Sequence, residues 1–274
     1  MYIGQKNFDF TGPDAYIMGI LNVTPDSFSD GGKWNDMDRA LAHVEDMLAD
    51  GCAILDIGGE STRPGHVQIS IDEECSRIIP IIEAVRARFD VPISIDCYRA
   101  GTARAAIDVG AHLINDIWGL KYDPAMAPLI AETGVAYCLM HNDEAPHYTA
   151  YPQDVWADIQ KQVDLALAAG CQKDQLILDP GVGFAKTRPE DAEVIHRLDE
   201  LVALGYPVLL GTSRKRLLGS IVDRPAPDRD LATAATTVYG YLKGARIFRV
   251  HNVKVNKEAL DVAMAIERDG YGLS

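Results

Sequence analysis

Asp96, Asn115 and Asp179 end three apolar, β-branched stretches of this chain, PISID, LIN and LILD. A carboxylate at the end of a buried strand is unfavourable unless it meets a strong donor. Two carboxylates and an amide converging in one cavity suit a flat heterocycle that offers adjacent ring N–H and amino donors. Such side chains also cap helices well. Three of them at one mouth mark a pocket more readily than three separate caps.

A second set is cationic. GTSRKRLLG places Ser213, Arg214, Lys215 and Arg216 just past one apolar run, and Arg249 and His251 end another. Guanidinium forks, an ammonium and a histidine are the chemistry that holds a diphosphate. Arg249 inside an apolar strand end has no ordinary surface explanation, whereas Arg214 and Arg216 could be plain surface cations. The formal charge of −14 means that an anionic substrate needs such a local cluster against the overall field. The same acidity argues against nucleic acid as a partner.

Three loops complete the set. NVTPDSFSDGG (22–32) and GGESTRPG (58–65) are long and rich in glycine, proline and polar groups. Loops of that length in a compact fold usually carry function. DPGVGFAKT (179–187) joins two glycines that allow close backbone approach to an aromatic, Phe184, that can cover a ring. As a bare glycine loop it is a weak signal.

These residues need a scaffold that brings strand ends together. Eight apolar runs end near Asn22, Asp56, Asp96, Asn115, His141, Asp179, Ser213 and Arg249. They recur at the ~30-residue size of one βα unit. The expected strands are 16–21, 53–57, 92–95, 113–117, 136–140, 176–178, 208–210 and 247–250. Helices are expected at 37–49, 72–88, 99–109, after Pro124, at 154–169, 190–204, 215–222 with 229–243, and 255–268. Residues 1–12 read as a hairpin over the barrel bottom. The pattern predicts an α/β fold, a (β/α)8 TIM barrel spanning residues 1–274 as one domain, with all eight strand ends at the catalytic mouth. A doubly wound open sheet is disfavoured, because polar groups stand at every strand end rather than at one switch point.

Composition narrows the class. The chain has 274 residues and 47% hydrophobic content, enough for one large core. It has no ~18-residue apolar run to span a membrane and no basic-then-apolar leader. A cytoplasmic location is the expectation. Five cysteines, odd in number and never CxxC, are neither a disulfide framework nor a zinc site.

In MGILNVTPDSFSDGG, LDIGGESTRPG, SIDCYRA, LINDIWG, LMHN, LDPGVGFAKT, TSRKR and RVHN, taken in order over 18–252, the chain resembles the bacterial dihydropteroate synthases. The resemblance implies joining of p-aminobenzoate to 6-hydroxymethyl-7,8-dihydropterin diphosphate, giving dihydropteroate and pyrophosphate, with sulfonamides as inhibitors. It implies that Asp96, Asn115, Asp179 and Lys215 hold the pterin, with Met140 and Phe184 lining its pocket. Asn22, Arg63, Arg249 and His251 would hold the diphosphate, with Mg²⁺ at Asn22. Phe28, Thr62, Arg63, Pro64 and Ser213 would form the p-aminobenzoate site. Asp96, Lys215, Arg249 and Asp30 would carry the chemistry, Asp30 by ordering the first loop. The partners implied are these small molecules and a second copy of the chain, with helix residues 260–266 as a candidate face. Asn252 stands where the family usually has Asp, Cys97 where Thr is usual and Gly101 where Glu is common. The resemblance disfavours three other readings: a methyltetrahydrofolate:corrinoid methyltransferase domain, a pterin-binding paralogue without turnover, and a generic phosphate-binding barrel.

Overall fold

The computed structural model describes residues 1–23, 33–60, 67–144 and 146–268, with residues 33–35 as backbone alone. After a small antiparallel hairpin, β1 (Tyr2–Ile3) and β2 (Lys6–Asn7), the chain alternates strand and helix. The strands are β3 (Tyr16–Asn22), β4 (Cys52–Gly58), β5 (Ile93–Asp96), β6 (Leu113–Asp116), β7 (Ala136–Met140), β8 (Leu176–Asp179), β9 (Leu209–Leu210) and β10 (Ile247–Val250). The helices are α1 (Lys33–Ala49), α2 (Ile71–Arg88), α3 (Ala100–Asp108), α4 (Met126–Thr133), α5 (Gln153–Ala168), α6 (Arg188–His196), α7 (Leu198–Val202), α8 (Arg216–Val222), α9 (Asp230–Leu242) and α10 (Val253–Glu267).

Among the described residues, eight parallel strands pair in the order β8-β7-β6-β5-β4-β3-β10-β9. A parallel bridge between Leu178 and Val208 joins β8 to β9 and closes the ring. The fold is the expected barrel. An open doubly wound sheet is ruled out, because that bridge leaves no free edge.

Strand alternation divides the core. Outward residues such as Leu55, Ile57, Ile93, Ile95, Ile114 and Leu139 pack under the helices. Inward residues of the lower barrel, Met18, Ile54, Leu113, Cys138, Ile177, Leu209 and Ile247, form a second cluster with Ile3 and Phe8 from the hairpin region. The hairpin thus plugs the barrel bottom, as its sequence suggested. Above that layer the inward positions turn polar, at Asp56, Ser94, Asp96, Asn115, Asp179 and Arg249.

Local chemistry sets the helix starts. Ser70 caps α2 by accepting from Glu73 N at 3.1 Å, and Asp72, Glu73 and Glu74 follow in its first turn. Thr187 and Glu190 form a capping box that starts α6. Two expectations need correction. The single helix over 190–204 is two, because Arg197 leaves helical backbone (φ −104°, ψ 26°) while its side chain reaches Glu200 Oε1 at 2.6 Å. No glycine or proline announces that break. His141 does not face the barrel mouth. It follows inward Met140, so alternation turns it outward, where it is 2% exposed beneath the loop after β8. The cysteines are free thiols, and four of the five are buried.

Candidate active site

The floor of the mouth is a buried charge network. Asp56, fully buried on β4, accepts from Ser94 Oγ at 2.6 Å and from Arg249 Nε at 2.6 Å. Asn115 Nδ2 lies 3.5 Å from the same carboxylate. Arg249 Nη2 donates to Asp96 Oδ2 at 2.7 Å. Burial disfavours the Arg249 charge, yet Asp56 and Asp96 outweigh it and hold the guanidinium above its ordinary range. Asp96 Oδ1 is buried and has no partner among the described residues. Burial, with Asp56 adding to it and Arg249 opposing, pushes the Asp96 carboxyl up to about 7.

Asp179 ends β8 on the same floor and accepts from Gly181 N at 2.7 Å. Burial raises its pKa, and Lys215 and the Gly181 N–H act against that. Three carboxylates, Asp56, Asp96 and Asp179, therefore share two cations, Arg249 and Lys215. Such an excess of buried acceptors asks for further donors from a ligand.

One wall is apolar. Tyr98, Ile117 and Met140 form a buried cluster joined by Trp118 and Phe184. Lys215 enters between wall and floor. Its Nζ lies 4.6 Å from the Phe184 ring centroid and donates to Val182 O. Burial pulls the Lys215 ammonium down to about 8, and Asp179 works against that pull. A slot with an anionic floor, an aromatic lid and one cation at its end fits a flat, polar-edged ring.

The β9 and β10 ends form a second patch. Ser213 Oγ lies 2.8 Å from His251 Nδ1 and accepts from His251 N at 3.1 Å, locking the two strand ends together. The two other cations of the TSRKR run, which the sequence left open as plain surface residues, point away from the slot. Arg214 makes a bidentate pair with Asp230 on α9 at 2.6 and 2.9 Å. Arg216 is exposed. Their charges follow the helix-start geometry rather than the mouth. Asn252 caps α10 by accepting from Val255 N at 3.2 Å and donates to Asp230 Oδ2 at 2.9 Å. Its amide suits that place, because an N–H can meet the Asp230 carboxylate.

The structure thus gathers Asp96, Asn115, Asp179, Lys215, Met140, Phe184 and Arg249 around one slot, with Ser213 and His251 beside it. Asn22 is at the exposed end of β3. A Cβ built on Gly58 would lie 3.6 Å from Asn22 Oδ1 and 3.8 Å from Asp96 Oδ2, so these side chains share one corner. Phe28, Asp30, Thr62, Arg63 and Pro64 lie outside the described residues. Sequence reading placed Asp56 at the mouth as a strand end but gave it no part in binding or chemistry; its inward parity on β4 is what puts it on the floor. Sequence reading also passed over Arg99. That buried side chain binds Glu60 at 2.8 Å and Glu74 at 2.7 Å and donates to Ile69 O.

The profile of the family described as pterin binding enzyme matches residues 18–251. The chain belongs to this family. It is 48% identical over 269 residues to the dihydropteroate synthase of Clostridium beijerinckii, covering 98% of this chain and all (100%) of that one. Its fold matches a Clostridium difficile dihydropteroate synthase crystallised in the presence of pteroic acid, with TM-score 0.90, 45% identity, and 93% and 97% of the two chains covered. It also matches a Yersinia pestis dihydropteroate synthase in a sulfonamide drug complex, with TM-score 0.88, 40% identity, and 95% and 96% covered. Within the family the chain stands with the dihydropteroate synthases, which are transferases.

Proposed function

We infer that the slot binds the pterin of 6-hydroxymethyl-7,8-dihydropterin diphosphate and presents it to p-aminobenzoate, yielding 7,8-dihydropteroate and pyrophosphate. The observation that carries this is Asp96 Oδ1, a buried carboxylate oxygen without a partner among the described residues. A pterin edge offers adjacent N–H donors, and Asp96 and Asp179 stand ready to accept them. Lys215 would donate to the ring's acceptors, while Phe184 and Met140 cover its faces.

The chemistry follows from that placement. The bond between the exocyclic methylene carbon and the diphosphate oxygen breaks, and its electron pair leaves on pyrophosphate. The resulting positive charge spreads into the pterin, where the carboxylates of Asp96 and Asp179 stabilise it from fixed positions. The arylamine nitrogen then attacks the methylene carbon and releases its proton. An aniline nitrogen is acidic once alkylated, so no strong general base is required. We expect a dissociative displacement with the pterin binding first. Arg249 and His251 would face the diphosphate side, and Ser213 would hold His251 in place.

A divalent cation fits this scheme in a limited way. Among the described residues no group of three His, Cys, Asp or Glu side chains is arranged to hold a metal ion. Mg²⁺, however, keeps several waters and commonly takes only one or two protein oxygens plus substrate phosphate. Asn22 Oδ1 offers one such oxygen beside Asp96. When bound with substrate, Mg²⁺ would neutralise charge on the departing diphosphate.

The two loops that hold Phe28, Asp30, Thr62, Arg63 and Pro64 would complete the p-aminobenzoate site. Sulfonamides, which mimic that substrate, should then inhibit. We further propose a homodimer formed through α9 and α10, which pack on each other and expose Leu231, Leu242, Val262 and Ile266. Leu260 is fully buried and belongs to the core rather than to that face. Among the described residues no helix is long and apolar enough to cross a membrane. A cytoplasmic location is the reading we favour.

The test is pyrophosphate release. Release should require both substrates and Mg²⁺, fall sharply in Lys215→Ala, and be suppressed by sulfamethoxazole. Pterin diphosphate binding without release would replace the synthase reading with that of a non-catalytic pterin binder.

A further inference from the structure

The loop that follows β8 supplies the slot with Phe184, with the Val182 carbonyl that receives Lys215, and with the Gly181 N–H that caps Asp179. Its backbone is unusual. Gly181, Gly183 and Ala185 have φ of 70°, 82° and 52°, so left-handed residues alternate through it. For Ala185 that conformation is unfavourable by about 1 kcal/mol or more. A methyl group on Gly181 would collide with His141 O, so the turn is pressed against β7. Something must hold such a path in place.

Lys186 sits inside the turn. Its Nζ lies 3.1 Å from Gly181 O, 3.1 Å from Phe184 O and 2.9 Å from His141 Nδ1; burial pulls the ammonium down to about 7, and Asp191 and Asp179 work against that pull. His141 is neutral, because burial and the cations Lys186 and Lys121 push it down to about 2. Its Nδ1 then accepts from the ammonium, which leaves the ring proton on Nε2, 3.5 Å from Asp158 Oδ2. Lys121 fixes Asp158 from the other side at 2.6 Å. The three ammonium hydrogens of Lys186 thus meet three acceptors, two of them backbone carbonyls of the turn itself. From outside, Tyr148 OH donates to Ala185 O at 2.7 Å and Asp191 Oδ1 accepts from Gly183 N at 2.5 Å.

We propose that Lys186, held by His141, is a positioning residue for pterin binding: it shapes the 181–184 turn so that Phe184 and Val182 O place Lys215 against Asp179. Its described hydrogen bonds go to the turn and to His141, and its charge also favours ionised Asp179 from behind, so it acts on the slot through the turn and through Asp179. This rests on the slot being the pterin site. The effect should be selective. The turn borders the pterin slot, so the pterin constants should change while those for p-aminobenzoate hold.

The experiment measures binding of 6-hydroxymethylpterin, together with steady-state constants for both substrates, in Lys186→Met, Lys186→Arg, His141→Leu and Lys215→Ala. Hydrogen bonds from a charged donor typically contribute enough to predict an about ten- to hundredfold loss of pterin affinity in Lys186→Met. KM for p-aminobenzoate should stay within about twofold. Lys186→Arg keeps charge and donors and should recover part of the loss. His141→Leu removes one of three acceptors and should give a smaller loss in the same direction, which keeps the proposal testable if Lys186→Met does not fold. Wild-type pterin affinity in a folded Lys186→Met, with Lys215→Ala still defective, would overturn the role of Lys186 alone. Equal rises in both KM values would show a general structural role and overturn it as well. Unchanged pterin binding in both Lys186→Met and Lys215→Ala would remove the slot assignment itself.

Discussion

The two sides of the barrel mouth handle their polar groups in opposite ways. Just past the β9 and β10 ends, polar groups pair within the protein: Ser213 with His251, Arg214 with Asp230, and Asn252 with Asp230 and Val255. On the floor, three carboxylates share two cations and Asp96 Oδ1 is left over. Satisfied groups hold backbone in place; an unsatisfied buried acceptor holds a place for a ligand. That difference separates the strand-end residues that build the mouth from those that should grip the pterin.

The sharpest way to break the contrast is on the floor. Arg249→Met should remove the shared partner of Asp56 and Asp96 and strand two buried carboxylates. Breaking one side of a buried charged network costs about 3–5 kcal/mol. Urea unfolding should report that loss, and pyrophosphate release should fall with it. A stable Arg249→Met enzyme would mean that Asp96 carries its proton and that the network is not ionic. Asp96→Asn keeps shape and removes the charge. We expect about 10²–10³ in kcat/KM, the scale seen when one preorganised stabilising group is lost.

A pH profile sharpens the same comparison without mutation. Pterin N–H donors need ionised Asp96, whose carboxyl stands at about 7, so pterin binding must release its proton below that pH. Affinity should therefore rise with pH up to about 7. Lys215 must keep its proton to donate, and its ammonium stands at about 8, so affinity should fall above about 8. Pterin dissociation constants across this range should show both limbs. Asp96→Asn should lose the acid limb, and Lys215→Arg the alkaline one. A flat profile in the wild type would refute both assignments.

The contrast also explains what could be read in the sequence. The eight strands and the barrel followed from apolar runs ending on polar residues, because period and burial are local properties. Asp96, Asn115 and Asp179 were visible for the same reason: each ends such a run on the inward parity. His141 shows the limit, since ending a run does not say which way a side chain points; one residue of parity turns it from the mouth to the back of the β8 loop. Arg214 shows another. Its partner Asp230 lies sixteen residues on, at the start of a different helix, and no local pattern foretells that pairing. Lys186 was hidden because two of its three acceptors are carbonyls of a turn held by left-handed residues and the third is the ring of His141, forty-five residues away. Backbone conformation of that kind leaves only glycines as its trace, and one of the three left-handed positions is Ala185.

The smallest expected effect lies on the satisfied side. Asn252→Ala removes the N-cap of α10 and one donor to Asp230, while Arg214 still binds that carboxylate twice. Loss of an N-cap costs about 1 kcal/mol, and thermal unfolding should show a drop of that order. Turnover at a temperature where the protein stays folded should be close to wild type, because the Asn252 amide is engaged with a helix end and not with the floor. A variant that is fully stable but slow would instead place Asn252 in the diphosphate chemistry beside His251, and its reading as a helix-end residue would fail.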